Sequence, residues 1–275
     1  MSVLNECDMP VITLLTDFGL ADEYVGVMKG VILSTLPEAV IVDISHEIAP
    51  HDIRQAAYML MASYPYFEPG SIHVIVVDPG VGTDRRILYA EVDGHRFLAP
   101  DNGVLSLLMS QYTATRIKRV ENQQYWRPFT SQTFHGRDIF APVAAHLAAD
   151  LATDQLGGNL ARAELTYLPD IMPQITADGI VAGCIIAVDR FGNLITNIQA
   201  DWLAEEDSAL EMERIVAEVS GQRIVGSRRP YKHQPLGEAQ VLINSRGYLE
   251  IAVKQDSAAN VLQVAKGEPV VIKKR

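Results

Sequence analysis

The sequence predicts an α/β N-terminal domain with a central, mostly parallel sheet, followed by an all-β, barrel-like C-terminal domain. Three observations predict it. Apolar β-branched runs alternate with helical patterns through the first 150 residues, the order that a helix-covered parallel or mixed sheet requires. The stretch Leu168-Pro169-Asp170-Ile171-Met172-Pro173 then carries two prolines and no helical period, the signature of a connection. From Gly179 onward, short apolar runs recur between Gly- and Asn-rich turns, the spacing of a small sandwich or barrel. The expected division is residues 1–167, a linker at 168–178, and residues 179–275.

In the first domain Val11–Leu15, Val40–Ile44 and Ile72–Val77 are the clearest strands, each nearly all apolar as strands buried on both faces are. Each runs into polar residues: Thr16-Asp17-Phe18-Gly19, Ser45-His46-Glu47 and Asp78-Pro79-Gly80. Ligands of open α/β sheets sit beyond such carboxyl ends. Asp22 is placed to cap a helix over Glu23–Leu36, stopped by Pro37, and Asp52 to cap Ile53–Ser63, stopped before Pro65. Leu88–Val92 and Arg96–Leu98, joined by Asp93-Gly94, read as a hairpin. Val104–Ser110 and Gly136–Leu151 read as helices. In the second domain the expected strands are Ile180–Val188, Leu194–Ile198, Ile215–Val219, Gln240–Ile243, Tyr248–Val253 and Val270–Lys273, with one short helix at Ala258–Val264.

Composition narrows the function. A net charge of −11 opposes general affinity for nucleic acid or anionic lipid, which rests on basic patches, and tolerates a cationic ligand. The longest nearly uninterrupted apolar run, Gly179–Val188, falls short of the roughly 18 residues of a membrane span. Met1–Pro10 shows no basic segment followed by an apolar one, so the expected location is the cytoplasm. Cys7 and Cys184 are the two cysteines, too few for a disulfide framework or a metal cluster.

Familiar motifs fail. No G-x-x-x-x-G-K-[ST] occurs, the turn Asp17-Phe18-Gly19-Leu20-Ala21-Asp22 is no G-x-G-x-x-G, and there is no G-x-S-x-G. His46-Glu47-Ile48-Ala49-Pro50-His51 has one residue too many for a zincin, and Pro50 would break the helix that such a site needs. A metal-dependent hydrolase using Asp43, His46 and His51 is the rival that this segment raises. Denser polar stretches remain. In Asp78-Pro79-Gly80-Val81-Gly82-Thr83-Asp84-Arg85-Arg86 a sharp turn lets a carboxylate and a guanidinium face each other. In Thr133-Phe134-His135-Gly136-Arg137-Asp138 a histidine stands directly before a helix start, where free N–H groups point outward. Asp189-Arg190-Phe191-Gly192-Asn193 and Asn244-Ser245-Arg246-Gly247-Tyr248 interrupt strands of the second half. Each also has a plain structural explanation: a turn cap, a surface ion pair, a helix-flanking residue.

Taken in order, Ile12–Gly19, Val77–Gly82, Pro100-Asp101-Asn102-Gly103, Phe134–Asp138, Asp189–Asn193 and Ser245-Arg246-Gly247-Tyr248-Leu249-Glu250 resemble the S-adenosyl-L-methionine hydroxide adenosyltransferase family, relatives of the fluorinase and chlorinase enzymes. The resemblance runs from about Pro10 to Lys273. It implies hydrolysis of S-adenosyl-L-methionine to adenosine and L-methionine by attack of water at the ribose C5′, with no cofactor and no metal. It further implies homotrimers, or hexamers of paired trimers, with the site between the N-terminal domain of one subunit and the C-terminal domain of the next.

By the same resemblance the catalytic triad is Asp78, Arg85 and His135, with Arg86 the alternative for the arginine. Asp17 falls where the ribose hydroxyls are bound. Asp189 and Asn193 fall around the methionine ammonium and the adenine or ribose edge, with Phe191 beside the purine. Ser245 and Arg246 fall at the methionine carboxylate, and Tyr231 where a ring stacks on adenine. Two other readings compete. Halide transfer would give a 5′-halo-5′-deoxyadenosine, but the halogenases lack the Arg and His of the triad and the fluorinase carries an inserted loop. A non-catalytic sensor of S-adenosyl-L-methionine or adenosine would need no intact triad.

Overall fold

A computed structural model describes residues 10–203, 211–227 and 235–274. The chain divides into two compact units, Met1–Pro169 and Asp170–Arg275.

The first unit is built in chain order from β1 (Ile12–Thr16), α1 (Tyr24–Thr35), β2 (Ile41–Ser45), α2 (Ile53–Ser63), β3 (Ile72–Val76), β4 (Ile87–Val92), β5 (His95–Pro100), α3 (Ser106–Gln111), β6 (Ala114–Arg119) and α4 (Ala141–Ala148). Its sheet runs β2-β1-β3-β5-β4-β6. The β1–β2, β1–β3 and β3–β5 pairs are parallel and β4 is antiparallel to both neighbours, so the expected mostly parallel sheet is present. The hairpin turns at Asp93 and Gly94, both at positive φ (51° and 77°), the twist-matched geometry that favours glycine. On one face, Ile12, Leu14, Ile72, Val74 and Val76 meet Met28 and Ile32 of α1 and Phe140, Val143, Ala144 and Leu147 of the α4 region.

Three expectations are corrected. β2 is an edge strand with Val42 37% exposed, so its apolar run is not buried on both faces. Asp22 caps nothing: α1 begins after Glu23 with no side-chain cap, whereas Asp52 does cap α2 through the Gln55 N–H. The helix expected over Gly136–Leu151 opens as a π-turn at Gly136–Phe140 and ends with α4 at Ala148.

The sheet's other face buries a polar chain. Thr13 Oγ1 lies 2.8 Å from His73 Nδ1, and His73 Nε2 lies 3.2 Å from His95 Nδ1, with Tyr64 and Phe97 packed around the rings. Burial and the neighbouring His95 push the His73 pKa down to about 3, and burial lowers that of His95. Both rings are therefore neutral in the folded protein. A folded pKa below the unfolded value means that the contribution is complete above about pH 6.5 and fades as pH falls from there toward 3. Unfolding free energy from urea titrations is expected to drop by about 2 kcal/mol from His73 alone between pH 7 and pH 4.5. His73→Leu should flatten that slope; an unchanged slope in the variant would assign it elsewhere.

The second unit holds β7 (Gln174–Ile175), β8 (Val181–Val188), β9 (Leu194–Gln199), β10 (Ile215–Val219), β11 (Gln222–Val225), β12 (Ala239–Ile243), β13 (Tyr248–Val253), α5 (Ala258–Leu262) and β14 (Pro269–Lys274). The sheet order is β11-β10-β14-β8-β9-β13-β12, with β7 on β8, and all of these strand pairs are antiparallel. β8 pairs with β14 through its first half and β9 through its second, so one long strand turns the sheet's corner. A parallel bridge from Gly226 to Val241 links the β11 end to β12 and nearly closes the barrel-like wall around Leu194, Ile215, Val241, Leu249, Ile251 and Val270. Within the 168–178 segment, Gln174 and Ile175 of β7 pair with Ala182 and Val181 of β8.

Candidate active site

In the first unit the site is assembled from the ends of β1 and β3 and the start of α4. After β1, the Asp17 carboxylate accepts the His51 backbone N–H at 2.8 Å; His51 adopts φ 66°, which turns its amide toward that oxygen. The His46 carbonyl accepts Gly19 N–H at 2.8 Å, and His46 Nδ1 lies 2.8 Å from Thr16 Oγ1. His46 Nε2 is 3.1 Å from Asp43, whose other oxygen is paired with Lys29 at 2.6 Å. The segment that resembled a zincin thus docks the loop after β2 onto the turn after β1. Its His51 ring is 73% exposed while His46 is buried, and among the described residues no group of three or more His, Cys, Asp or Glu gathers as a metal site.

After β3 the chain folds back tightly. Val81 N–H donates to the Asp78 carbonyl and Thr83 N–H to the Gly80 carbonyl, both at 3.1 Å. Gly82 has φ 78°, and a Cβ there would lie 2.4 Å from the Gln132 carbonyl. Only glycine allows this approach, which seats the turn against the loop leading to His135. Arg85 Nε then donates to both Asp78 oxygens, at 2.9 and 2.8 Å, and its Nη2 donates to Oδ2. The same Nη2 lies 2.8 Å from His135 Nδ1. Asp78 and Arg85 are 4% and 10% exposed, a buried, bidentate, charge-assisted pair.

His135 immediately precedes the π-turn. Its loop is anchored by buried Asp138, which accepts Ser131 N–H at 2.8 Å and Arg137 Nε at 2.6 Å; these donors hold the Asp138 carboxyl below its ordinary range against the opposing effect of burial. Burial, then the Arg85 guanidinium, lower the His135 pKa, so its ring is neutral at pH 7.

Arg86 goes elsewhere. Its Nε donates to Asp101 Oδ2 at 2.7 Å and its Nη2 to the Glu164 carbonyl, while Asp101 Oδ1 accepts Thr166 N–H at 2.8 Å. Of the two adjacent arginines, Arg85 is the one that touches Asp78 and His135.

Asp17, Asp78 and His135 open on a common cleft of about 270 Å3. One wall carries Phe18, Tyr24 and Phe134, whose ring centroids lie 5.1 to 5.8 Å apart. Pro50, His51, Val76, Val81, Thr133 and Gly136 complete it. Sequence reading did not assign the aromatic wall of Phe18, Tyr24 and Phe134; the signal for Phe18 and Phe134 was adjacency to Asp17 and His135. A cleft with an aromatic wall and a few convergent polar groups suits a ligand with a flat ring and hydroxyls.

In the second unit, Asp189 organises its own turn. Oδ1 accepts Phe191 N–H and Asn193 N–H at 2.8 and 2.9 Å, and Oδ2 accepts the Asn193 amide at 2.9 Å. Gly192 has φ 83°, and a Cβ there would come 2.2 Å from Ser257 Oγ, so the turn lies flat on the start of α5 and leaves Phe191 78% exposed. In the β12–β13 turn, Asn244 Oδ1 accepts Arg246 N–H and Tyr248 N–H at 2.9 and 3.1 Å, presenting Ser245 and Arg246 at the surface. Glu250, unremarked as a chemical group in the sequence, is buried on β13 near Asp189 and Arg246, and burial raises its pKa. Tyr231 lies outside the described residues.

Comparison with known proteins gives the arrangement its context. Residues 12–157 match the model of the SAM hydroxide adenosyltransferase N-terminal domain, and residues 183–271 that of the C-terminal domain. Relatives named (R)-S-adenosyl-L-methionine hydrolase include one from Thermus thermophilus, 35% identical over 270 residues (95% of this chain, 99% of the relative), and one from Methanocaldococcus jannaschii, 35% identical over 262 residues (93% of each). A fluorinase from Nocardia brasiliensis is 27% identical over 290 residues, 96% of this chain and 97% of the relative. The crystal structure of an uncharacterized conserved protein from Thermotoga maritima superposes with a TM-score of 0.87 at 36% identity, covering 96% of this chain and all of that one. Both halves of the chain, and the ordered motifs along it, therefore place this protein in the SAM hydroxide adenosyltransferase family.

Proposed function

We propose that the protein hydrolyses S-adenosyl-L-methionine to adenosine and L-methionine by attack of water on the ribose C5′. The observation that carries this reading is the contact of Asp78, Arg85 and His135 at the end of β3, two of them lining the cleft that Asp17 also enters. A sulfonium departs as a neutral thioether, so the leaving group needs no acid. The difficulty is the nucleophile, and a held carboxylate and imidazole orient a water in line with the C5′–S bond and assist its deprotonation. Asp17 binds the ribose hydroxyls. Asp189, Phe191, Asn193, Ser245, Arg246 and Tyr231 serve the methionine and adenine ends, across subunits of a homotrimer in the cytoplasm. The metal reading has less support, because Asp43 pairs with Lys29 and His46 Nδ1 with Thr16 Oγ1 in packing the loop after β2.

The fluorinase relatives keep halide transfer as the second reading. Incubation with S-adenosyl-L-methionine in buffers with and without chloride, with and without EDTA, separates the two by mass spectrometry. Adenosine is the expected product in every buffer, with 18O from labelled water in its 5′-hydroxyl. A halogenated nucleoside as the main product would reverse the assignment, and loss of turnover with EDTA would reinstate the metal.

A further inference from the structure

We propose that, within this triad, Asp78 accepts the water's proton on Oδ1 while His135 carries its own proton on Nε2 and acts as a hydrogen-bond donor to the water oxygen. The proposal rests on the hydrolase reading and assigns the two roles within it. His135 Nδ1 lies 2.8 Å from Arg85 Nη2, and a guanidinium has donors only and stays charged. Nδ1 must therefore accept, which fixes the proton of the neutral ring on Nε2. Among the described residues Nε2 has no hydrogen-bond partner, on a ring that lines the cleft.

In that tautomer His135 has no lone pair left for a proton at Nε2. Protonation at Nδ1 would break the Arg85 contact and set an imidazolium against a guanidinium. The charged groups around the ring are Arg85, Asp78 and Asp138; Asp78 is held by Arg85 and Asp138 by Ser131 and Arg137, so neither carboxylate is free to offset a second positive charge. The acceptor is then Asp78. Its Oδ2 takes two donors from Arg85 but its Oδ1 only one, leaving Oδ1 with a free lone pair. A carboxylate is basic enough, because the water becomes strongly acidic only as its oxygen bonds to carbon. The step balances: the O–C5′ bond forms, the C5′–S pair stays on sulfur, and one water proton passes to Asp78 and then to solvent. One water lone pair attacks carbon while the other accepts from His135 Nε2–H.

The test pairs 15N NMR of histidine-labelled full-length protein with pH profiles of turnover. The His135 signals, assigned by their loss in His135→Gln, are expected to show a protonated Nε2 and an unprotonated Nδ1 at pH 7 and above. His135→Gln, which keeps a donor near the Nε2 position, is expected to retain turnover reduced about 10- to 50-fold, with the form of the kcat/KM pH profile unchanged. An unprotonated Nε2, or an acid limb near pH 6.5 that disappears in His135→Gln, would overturn the assignment. Failure of the wild-type protein to cleave S-adenosyl-L-methionine at all would instead strike the hydrolase reading, and the NMR result still decides the tautomer.

Discussion

Asp78→Asn is expected to lower kcat for S-adenosyl-L-methionine hydrolysis by about three orders of magnitude, roughly 4 kcal/mol of barrier. The amide keeps the shape of the side chain but loses the charge and one acceptor. Its NH2 would face the Arg85 fork, donor against donor, so the atom that should receive the proton and the partner that orients it are disturbed together. The KM should change little, since the proposed nucleoside and methionine contacts are made by other residues. The Asp78–Arg85 pair is buried, and leaving Arg85 without a counter-charge costs stability. Circular dichroism and thermal midpoints must therefore show that the variant is folded at the assay temperature. A folded variant with more than a tenth of wild-type kcat would remove Asp78 from the chemistry.

The sequence disclosed the parts of the fold in which burial and period coincide. β1, β3 and the strands β8 to β10 are apolar runs in well-packed cores, so pattern and structure agree to within a residue or two at each end. β6 and β11 went unread because charged residues interrupt them: Arg116, Lys118 and Arg119 in one and Arg223 in the other. Both lie at sheet ends, where solvent accepts Arg116 and Arg223, while buried Lys118 is paired with Asp154 at 2.8 Å. β2 misled in the opposite way, with an apolar run on an edge.

For the site, the residue types were legible but their connections were not. Nothing in the spacing of Asp78 and His135 says that Arg85 bridges them, because that contact depends on Gly82 allowing the turn to close on Gln132. Likewise, Asp189 reads in sequence as a ligand contact, yet its oxygens already hold three donors of its own turn. Any ligand contact would have to use the lone pair that remains.

The adjacent arginines give the sharpest separation of catalysis from stability. They precede β4, and in extended backbone successive side chains point to opposite sides; Arg85 accordingly reaches Asp78 and His135, and Arg86 reaches Asp101 and Glu164. Arg85→Met is expected to reduce kcat about 100- to 1000-fold. It also removes the donors that orient the Asp78 carboxylate and the partner that His135 Nδ1 accepts from. Arg86→Met should leave kcat per folded molecule within about threefold, because the hydrogen bonds of Arg86 go to Asp101 and the Glu164 carbonyl and not to Asp78 or His135. Its cost falls on folding: Asp101, 2% exposed at its side chain, would keep a buried charge with no cation, a loss of roughly 3 kcal/mol. Thermal midpoints and turnover measured on both variants decide the matter. The reverse pattern, with turnover lost in Arg86→Met and retained in Arg85→Met, would shift the triad by one residue. Comparable turnover losses in both would mean that the two faces of the strand are coupled through its backbone, and that the catalytic geometry depends on the Asp101 anchor as much as on Gly82.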